Sequence, residues 1–289
     1  PPDNPRYVPM AERYNPEFDL EQIGDWVGYP LYMKPFDGGM WVGVTRIGGP
    51  GDLTAAYEQS GERMMHVQAS VEDYDVFTRS LSIGPQTMVL RYDPGAHGHY
   101  RYQLDRGFLP PEQEHEVGVI SRLVNAFFRW EFNSCETIVK DGIAHPIDYA
   151  NASPDIALVS LHYWFPWAIR SLVAWCAFCS VSGRSMRLNQ RTKEYFLVGD
   201  DESLAYDEKL ARYEALTDAY FRTEEFEEFR AGALADLDEL TVDYVESVEF
   251  DDLLVRAIRL EVEPERQEEM IERCRGLTRQ WAADERLGA

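Results

Sequence analysis

Two strand-like runs flank an Asp-Gly pair near the middle of the chain, and this pattern constrains the fold more than any other. The runs are Phe132–Lys140 and Ile143–Ala150, and Asp141-Gly142 separates them. Asp-Gly between apolar runs is typical of a tight β-hairpin, because both residues tolerate positive φ. The chain therefore contains antiparallel sheet, which argues against a doubly wound parallel fold.

Strands and helices alternate irregularly along the rest of the chain, and from Pro154 onward helices dominate. The pattern predicts helices over about Asp52–Ser60 and Pro111–Phe128, and strands at Tyr29–Lys34, Trp41–Ile47, Met64–Ala69, Val76–Gly84 and Thr87–Tyr92. We therefore predict an α+β fold of antiparallel sheets with helices, followed by a helical C-terminal segment. The predicted domains are residues 1–198 and an acidic helical extension, residues 199–289.

The net charge of the 289-residue chain is −23, which argues against nucleic acid and anionic membranes as partners. About half of the 51 acidic residues follow Val198, in the segment that reads as helical. A solvated helical surface explains this acidity, so the charge says little about a functional site.

The apolar run Leu158–Val181 raises the question of a membrane span. It contains His162, Pro166 and Arg170 and lacks a flanking basic cluster, so we predict a buried core helix that is kinked at Pro166.

The four cysteines follow no disulfide framework. Cys176 and Cys179 form a C-x-x-C pair in the same apolar run, without a second ligand pair, which predicts buried helix thiols instead of a metal site. With no signal-peptide pattern at the start, this cysteine usage predicts a cytoplasmic protein.

Three groups of residues indicate chemistry, and the first is Lys34 with Gly38 and Gly39. A strand delivers the lysine, and the glycines then let backbone N–H groups approach phosphate oxygens. The chain has only four lysines, so one placed in an apolar strand is notable. An ordinary Gly-Gly hairpin is the alternative interpretation.

The second group is Gln68, at the end of one strand, and Asp75, at the start of the next. The strand end can present backbone groups to an adenine edge, and a carboxylate seven residues later can accept ribose hydroxyls. A polar strand connection is the alternative.

The third group places Glu136, Asp148 and Asn151 on the arms of the central hairpin. Carboxylate and amide oxygens are the ligands that Mg²⁺ prefers. A two-residue loop pairs Glu136 with Ile147, so a metal site requires a longer loop or a β-bulge that pairs Glu136 with Asp148. An acidic hairpin that faces solvent is the alternative.

In chain order, these groups resemble the ATP-grasp superfamily of carboxylate–amine and carboxylate–thiol ligases. That family has a strand ending in Lys-Pro before a glycine-rich loop over the phosphates, and YMKPFDGG matches it with Lys34, Gly38 and Gly39. Gln68 and Asp75 match the spacing of the family's adenine hinge and ribose carboxylate.

The second half of the family pattern also has counterparts in this chain. The resemblance as a whole covers roughly residues 8 to 185. The basic residue that reaches the phosphates matches Arg101 in YDPGAHGHYRY, with Arg79 as a second candidate. The family's magnesium ligands match Glu136, Asp148 and Asn151.

The chain departs from the family at several places. The hinge residue is Gln68 where an acid is usual, and Asp148 lies three residues before Asn151 where the family has Glu two before. The family's upstream nucleotide lysine and N-terminal α/β domain have no counterpart in these residues.

The resemblance implies an enzyme that uses ATP and Mg²⁺ to convert a small-molecule carboxylate into an acyl phosphate, which an amine, or less often a thiol, then attacks. Two alternatives stay open. One is a relative that binds nucleotide without catalysis. The other is a subunit that forms a homo-oligomer or docks on a protein partner through its amphipathic helices in residues 200–289.

Overall fold

The N-terminal part of the chain contains a small antiparallel sheet packed on two helices. A computed structural model describes residues 19–38, 41–61, 63–185 and 192–288. The chain divides into two units, Pro1–Asp73 and Tyr74–Ala289. The elements of the first unit are α1 (Leu20–Val27), β1 (Leu31–Pro35), β2 (Thr45–Ile47), α2 (Pro50–Gln59) and β3 (Met65–Ala69), with strand order β2-β1-β3.

Alternate residues of β1 form the core of this unit. Leu31 and Met33 are buried and pack with Ile47 and Leu53, because side chains of one strand alternate between the two faces of a sheet. The predicted strand Trp41–Ile47 is shorter than expected. The backbone at Trp41 has positive φ, and residues 41–43 form a turn, so pairing begins only at Thr45.

A second antiparallel sheet opens the second unit. Its strands are β4 (Val76–Ile83), β5 (Gln86–Arg91), β6 (Phe132–Lys140) and β7 (Ile143–Asn151), in the order β5-β4-β6-β7. The β4–β5 turn needs a glycine: Gly84 has φ +56°, and a Cβ there would lie 2.3 Å from the Trp175 indole.

The helix between β5 and β6 is α3 (Pro111–Phe128), which matches the predicted range. Its Val117 packs with Val89 and Val139 of the sheet. With two antiparallel sheets and long helical stretches, the α+β prediction is confirmed.

The apolar run after β7 is broken at a different residue from the predicted one. It forms α4 (Leu158–Leu161), a 3₁₀ turn (His162–Trp164) and α5 (Phe165–Val181). The break lies at His162, whose φ is +37°, whereas Pro166 lies in the first turn of α5, where a missing N–H leaves no helical hydrogen bond unmade.

Leu158–Val181 passes the length and composition test for a membrane span, with a mean hydropathy of 1.2 and 44% of the tested window buried. Core helices pass the same test, so one such stretch is only a weak indication. The prediction of buried thiols is wrong at Cys176, which is exposed, and Cys179 is partly exposed, because α5 turns that face away from its Trp175–Phe178 core side.

The remaining helices belong to the second unit together with its sheet. They are α6 (Lys193–Gly199), α7 (Tyr206–Phe221), α8 (Thr223–Ala233), α9 (Leu237–Val245), α10 (Val248–Glu261) and α11 (Gln267–Leu287). α7 packs on α3, where Arg122 Nη2 donates to Glu214 Oε1 at 3.0 Å. The predicted boundary between residues 198 and 199 would lie inside this unit, and it stays a prediction.

Candidate functional site

Lys34 and Gln68, both predicted nucleotide contacts, are hydrogen-bonded to each other in the first unit. Lys34 lies on the central strand β1, on the face opposite the core, and pairs across the ladder with His66, while Tyr32 pairs with Gln68. The ammonium of Lys34 donates to Gln68 Oε1 at 2.8 Å. The diagonal neighbours of an antiparallel pair thus hold the cation in a defined position on a half-buried face.

In the glycine loop after β1, local packing explains why residue 38 is a glycine. A Cβ on Gly38 would lie 2.6 Å from the Pro35 ring, so the turn requires a residue without a side chain there. Asp37 anchors the loop through an ion pair with Arg63 at 2.8 Å. Gly39 lies outside the described residues. Phosphate binding by this loop stays a prediction, because the packing of Gly38 on Pro35 already explains that glycine.

Asp75 belongs to the second unit and caps the central hairpin. Its Oδ2 accepts the backbone N–H of Asp141 at 2.8 Å, and its own N–H donates to the carbonyl of Val139 at 2.9 Å. One carboxylate oxygen therefore stabilises the turn. The predicted contact of Asp75 with a ribose stays a prediction.

The central hairpin has the bulged register that a metal site requires. Around the two-residue turn, Lys140 pairs with Ile143 and Thr137 pairs with Pro146. One irregularity then brings Glu136 opposite Asp148, and a second brings Ser134 opposite Asn151. Because Ser134 and Glu136 are two residues apart on β6, their side chains share one sheet face with Asp148 and Asn151.

Asn151 is held by the strand that it faces. Its N–H donates to Asn133 Oδ1 and its amide nitrogen donates to Ser134 Oγ, both at 2.9 Å. The amide oxygen is then the hard donor that this side chain offers to a cation.

Arg79 connects the acidic hairpin to the neighbouring strand. Its Nη1 lies 3.4 Å from Glu136 Oε1, and its Nε and Nη2 donate to Ser134 Oγ at 3.3 and 3.2 Å. The Arg79 side chain is only 18% exposed. Burial lowers its pKa, but the neighbouring Tyr102, Glu136 and Tyr92 raise the pKa above its ordinary value, so Arg79 stays cationic.

Arg79 and Arg101, the two predicted phosphate arginines, meet at one phenol. Nη1 of Arg79 donates to the Tyr92 hydroxyl at 3.2 Å, and Nη1 of Arg101 approaches the same oxygen at 3.5 Å. Arg101 is fixed further by donation from Nε to the Ala96 carbonyl at 3.1 Å. The Tyr92 hydroxyl thus brings two guanidinium groups close together, and one of them, Arg79, also lies beside the Glu136 carboxylate.

The structure thus brings together five of the predicted residues, all in the second unit: Arg79, Arg101, Glu136, Asp148 and Asn151. Sequence reasoning missed two residues that link them, Tyr92 and Ser134. The position of Ser134, two residues before Glu136 on one strand, was a usable signal. No sequence signal marks Tyr92, which directly follows β5.

Among the described residues, no group of three or more His, Cys, Asp and Glu side chains gathers as a metal site would. The predicted Mg²⁺ set contains only two carboxylates, with an amide as the third ligand. Two hard carboxylate donors plus an amide oxygen fit a site where nucleotide phosphates complete the coordination, as is usual for Mg²⁺.

Comparisons with known proteins give partial structural likenesses. No protein-family model and no curated protein matches the sequence. The chain is similar to the biotin carboxylase domain of Hydrogenobacter thermophilus 2-oxoglutarate carboxylase in complex with MgADP, ADP and bicarbonate. The identity is 16%, with 48% of this chain and 34% of that chain covered and a TM-score of 0.38.

Two further solved structures are similar in part. D-alanine–D-alanine ligase from Bacillus anthracis, complexed with ATP, is 14% identical over 76% of this chain and 67% of that chain, with a TM-score of 0.40. The biotin carboxylase domain of a thermophilic 2-oxoglutarate carboxylase, bound to ADP without magnesium, is 16% identical over 60% and 41%, with a TM-score of 0.29.

These solved structures are ATP-grasp proteins, the superfamily that the sequence motifs resemble. The chain spans between about a third and two thirds of their lengths. Likeness of this extent carries no information on substrate or activity, because one fold hosts many functions.

Proposed function

We propose that the chain is an ATP- and Mg²⁺-dependent ligase that activates a small-molecule carboxylate for attack by an amine. A carboxylate oxygen of the substrate attacks the γ-phosphorus of ATP, the bond from that phosphorus to the bridging oxygen breaks, and ADP leaves. The amine then attacks the acyl carbon, phosphate leaves, and the amine loses a proton. Two of the similar proteins, a 2-oxoglutarate carboxylase domain in complex with ADP and a D-alanine–D-alanine ligase in complex with ATP, agree with this class.

The bulged hairpin is the observation that carries the proposal. A regular two-residue hairpin would pair Glu136 with Ile147, yet the register shifts and pairs Glu136 with Asp148, with Asn151 next on the same face. Bulges are found next to active sites, where they re-aim side chains. Arg79, 3.4 Å from Glu136, adds a cation to the same place.

The side chains divide the work by charge. Arg79 and Arg101 stabilise the negative charge of the transferred phosphoryl group, and Lys34 contacts the nucleotide phosphates. Glu136, Asp148 and Asn151 would hold Mg²⁺, which neutralises phosphate charge when it is bound. The Ser134 hydroxyl and the Tyr92 hydroxyl keep the arginines in place and take no part in bond making. No nucleophilic side chain is required.

A binding experiment tests the nucleotide site. Isothermal titration with MgADP should show saturable binding, and Lys34→Ala should weaken it roughly tenfold or more, because one charge-assisted hydrogen bond is worth about 1.5–3 kcal/mol. The matched control is Lys193→Ala, at an exposed lysine on α6. Equal binding by the two variants, or no binding by the wild type at millimolar MgADP, would contradict the proposal.

The magnesium ligands have their own test. Asp148→Asn keeps the shape of the side chain and removes a charge, so it should raise the Mg²⁺ concentration needed for half-maximal nucleotide binding. Asp141→Asn, in the turn of the same hairpin, serves as the control. If both variants need the same Mg²⁺ concentration as the wild type, the carboxylate does not bind the metal.

Turnover separates a ligase from a protein that only binds nucleotide. A screen of acids and amines, read by phosphate release, should show release that requires both substrates. Nucleotide binding without stimulated release in any combination supports the non-catalytic alternative.

Exposed apolar side chains on the C-terminal helices support a second candidate function, docking on a protein partner or a second copy. Leu240 and Tyr244 lie one helical turn apart on α9 and are 61% and 47% exposed, and Val248, at the start of α10, is 74% exposed. The solution mass of the full chain should fall on Leu240→Glu/Val248→Glu if these residues form a homo-oligomer. An unchanged monomeric mass would contradict self-association.

A further inference from the structure

The two edges of the second sheet differ in how regular they are. β5 and β7 are its outer strands, and two irregularities interrupt the pairing of β7 with β6. β5 instead pairs with β4 over six consecutive residue pairs without a register shift. Bulges, prolines and lysines are the usual features that keep a further strand from an edge, and β5 has none of them.

Hydrogen bonds at the end of β5 show which backbone groups lie on its outer side. The Tyr92 N–H donates to the Phe77 carbonyl of β4 at 3.0 Å. The Arg91 carbonyl accepts the Gln103 N–H at 3.0 Å on the opposite side. Successive residues of an antiparallel strand direct their backbone groups to alternate sides. The odd-numbered residues of β5 therefore direct theirs outward, as Arg91 does.

The outward N–H and C=O groups of Thr87 and Val89 form no backbone hydrogen bond in the part of the chain that the structure describes. Gln103 covers only the Arg91 end of the strand, and β4 pairs with the even-numbered residues on the other side. Two donors and two acceptors thus lie in line along an open edge, with the spacing that a neighbouring strand requires.

A cleft lies beside this edge, between β5 and α3. Thr87 and Val89 line it from the strand, and Pro111 and Gly118 are among the residues that line it from the helix. A Cβ on Gly118 would lie 3.7 Å from Arg122 Nη1 and 4.0 Å from Thr87 Cγ2, so the glycine leaves the space open. The volume is about 290 Å³, just below the range of ordinary small-molecule sites, and it suits one long side chain.

The charges around the cleft favour a basic occupant. Both basic side chains that line it, His115 and Arg122, already pair with Glu214, at 3.2 and 3.0 Å. Glu112 and Glu114, in the first turn of α3, are exposed and form no ion pair with a described residue. The uncompensated charge at the cleft is therefore negative, in a chain with a net charge of −23.

We propose that this edge binds an extended basic segment of a protein partner, which adds to β5 as a fifth strand of the sheet. The backbone of the segment pairs with Thr87 and Val89. A lysine or arginine side chain enters the cleft, where its stem packs on Pro111 and its charged head meets Glu114. A second copy of this chain fits less well, because two chains of net charge −23 repel each other.

The proposed surface is independent of ATP and Mg²⁺ binding, and it is separate from the exposed apolar side chains of α9 and α10. Its residues belong to β5 and α3, and none of them is a proposed nucleotide or metal ligand. Failure of the ligase assay therefore leaves strand addition standing, and failure of strand addition leaves the ligase proposal standing.

Hydrogen exchange of the full chain with a synthetic peptide tests the proposal. The probe is a capped peptide of alternating lysine and valine, and the comparison peptide has glutamate in place of lysine. The lysine peptide should slow exchange at the Thr87 and Val89 amides about tenfold, once its concentration is about ten times its dissociation constant. The Met88 amide, which faces β4, is the internal control and should not change.

Two variants separate the backbone edge from the cleft. Thr87→Pro removes one outward donor and keeps the hydrogen bonds to β4, because the N–H of residue 87 does not face that strand. Gly118→Leu fills the cleft, and Gly118→Ala, which adds only a methyl group in open space, is its matched control. Thr87→Pro and Gly118→Leu should each weaken binding of the lysine peptide about tenfold. Gly118→Ala should bind the lysine peptide like the wild type.

Unchanged exchange at Thr87 and Val89 with the lysine peptide at millimolar concentration would overturn the proposal. Equal binding of the glutamate peptide would overturn it as well, because the cleft would then not select a basic segment. Protection that rises with protein concentration in the absence of peptide assigns the edge to a second copy and also overturns it. If Thr87→Pro does not fold, the comparison of Gly118→Leu with Gly118→Ala still decides whether the cleft is used.

Discussion

Acidification should destabilise this protein through His162 in a narrow window of pH. Burial is the largest of the effects that lower the pKa of the imidazole from 6.5 to about 4. The charges of Arg273 and His99 lower this pKa further, whereas a hydrogen bond with the Tyr102 backbone raises it. Between pH 6.5 and about 4, His162 therefore binds a proton more readily in the unfolded chain than in the folded chain. One pKa unit corresponds to about 1.4 kcal/mol, so the difference is worth about 3 kcal/mol in the free energy of unfolding.

The sign follows from the direction of the shift. Above pH 6.5 the ring is neutral in both states and its titration contributes nothing. As the pH falls from 6.5 towards 4, the unfolded state gains the proton first, so stability falls, and the full loss is reached once the folded state is protonated too. His162→Asn has no titrating group there and should lack this contribution. Strain and lost contacts in this variant change the free energy of unfolding by an amount that does not depend on pH.

The assay is urea unfolding of wild type and His162→Asn at several pH values from 7 to 4. Unfolding is monitored by hydrogen exchange of the amides in residues 158–181, so that the measured free energy belongs to the second unit. The gap in unfolding free energy between the two proteins should change by about 3 kcal/mol across this range in favour of the variant. Carboxylates titrate in both proteins and cancel in the difference. Parallel curves would refute the reasoning, because the imidazole would then titrate alike in both states.

Three further predictions concern single side chains. Gly84→Ala should lower the unfolding free energy by about 2–4 kcal/mol in denaturant titrations, because its Cβ would lie 2.3 Å from an indole ring; Gly142→Ala, with positive φ and nothing within 4 Å, should lose clearly less. Glu136→Ala should lower the thermal midpoint, because it leaves the largely buried Arg79 guanidinium without its carboxylate, at a cost of about 1–3 kcal/mol in the free energy of unfolding. An unchanged midpoint would contradict that ion pair. Iodoacetamide at pH 8 should modify exposed Cys176 first and buried Cys135 last, since burial raises the pKa of the Cys135 thiol to about 12. Peptide mass spectrometry measures the order of modification, and the reverse order would contradict the burial of Cys135.

The sequence predicted the elements whose signals are local. The Asp141-Gly142 turn and the helix Pro111–Phe128 have the predicted bounds, because turn chemistry and a long periodic segment each act over a few residues. It failed where tertiary contacts decide. The break at His162 depends on packing against α11, so Pro166 was a misleading signal.

The candidate site was predictable to a similar degree. Residue type and spacing indicate Glu136, Asp148 and Asn151 as a set, and a metal site there requires the bulge that pairs the two acids, which the hairpin has. Tyr92 was not predictable, because its role as shared acceptor for two arginines depends on where residue 101 lies in space. The hydrogen bond from Lys34 to Gln68 likewise requires the strand register, which the sequence left open.

The hairpin irregularities have a consequence for behaviour in concentrated solution. β7 is one of the two edge strands of its sheet, and Pro146 removes one backbone donor from it beside two register shifts. An outer strand with regular, unpaired N–H and C=O groups is a template on which another chain can add, and prolines and bulges suppress such addition. The same distortion that brings Glu136 opposite Asp148 therefore protects the protein from strand-mediated aggregation. A variant with a regularised hairpin should precipitate sooner than the wild type, even where its folded state is more stable.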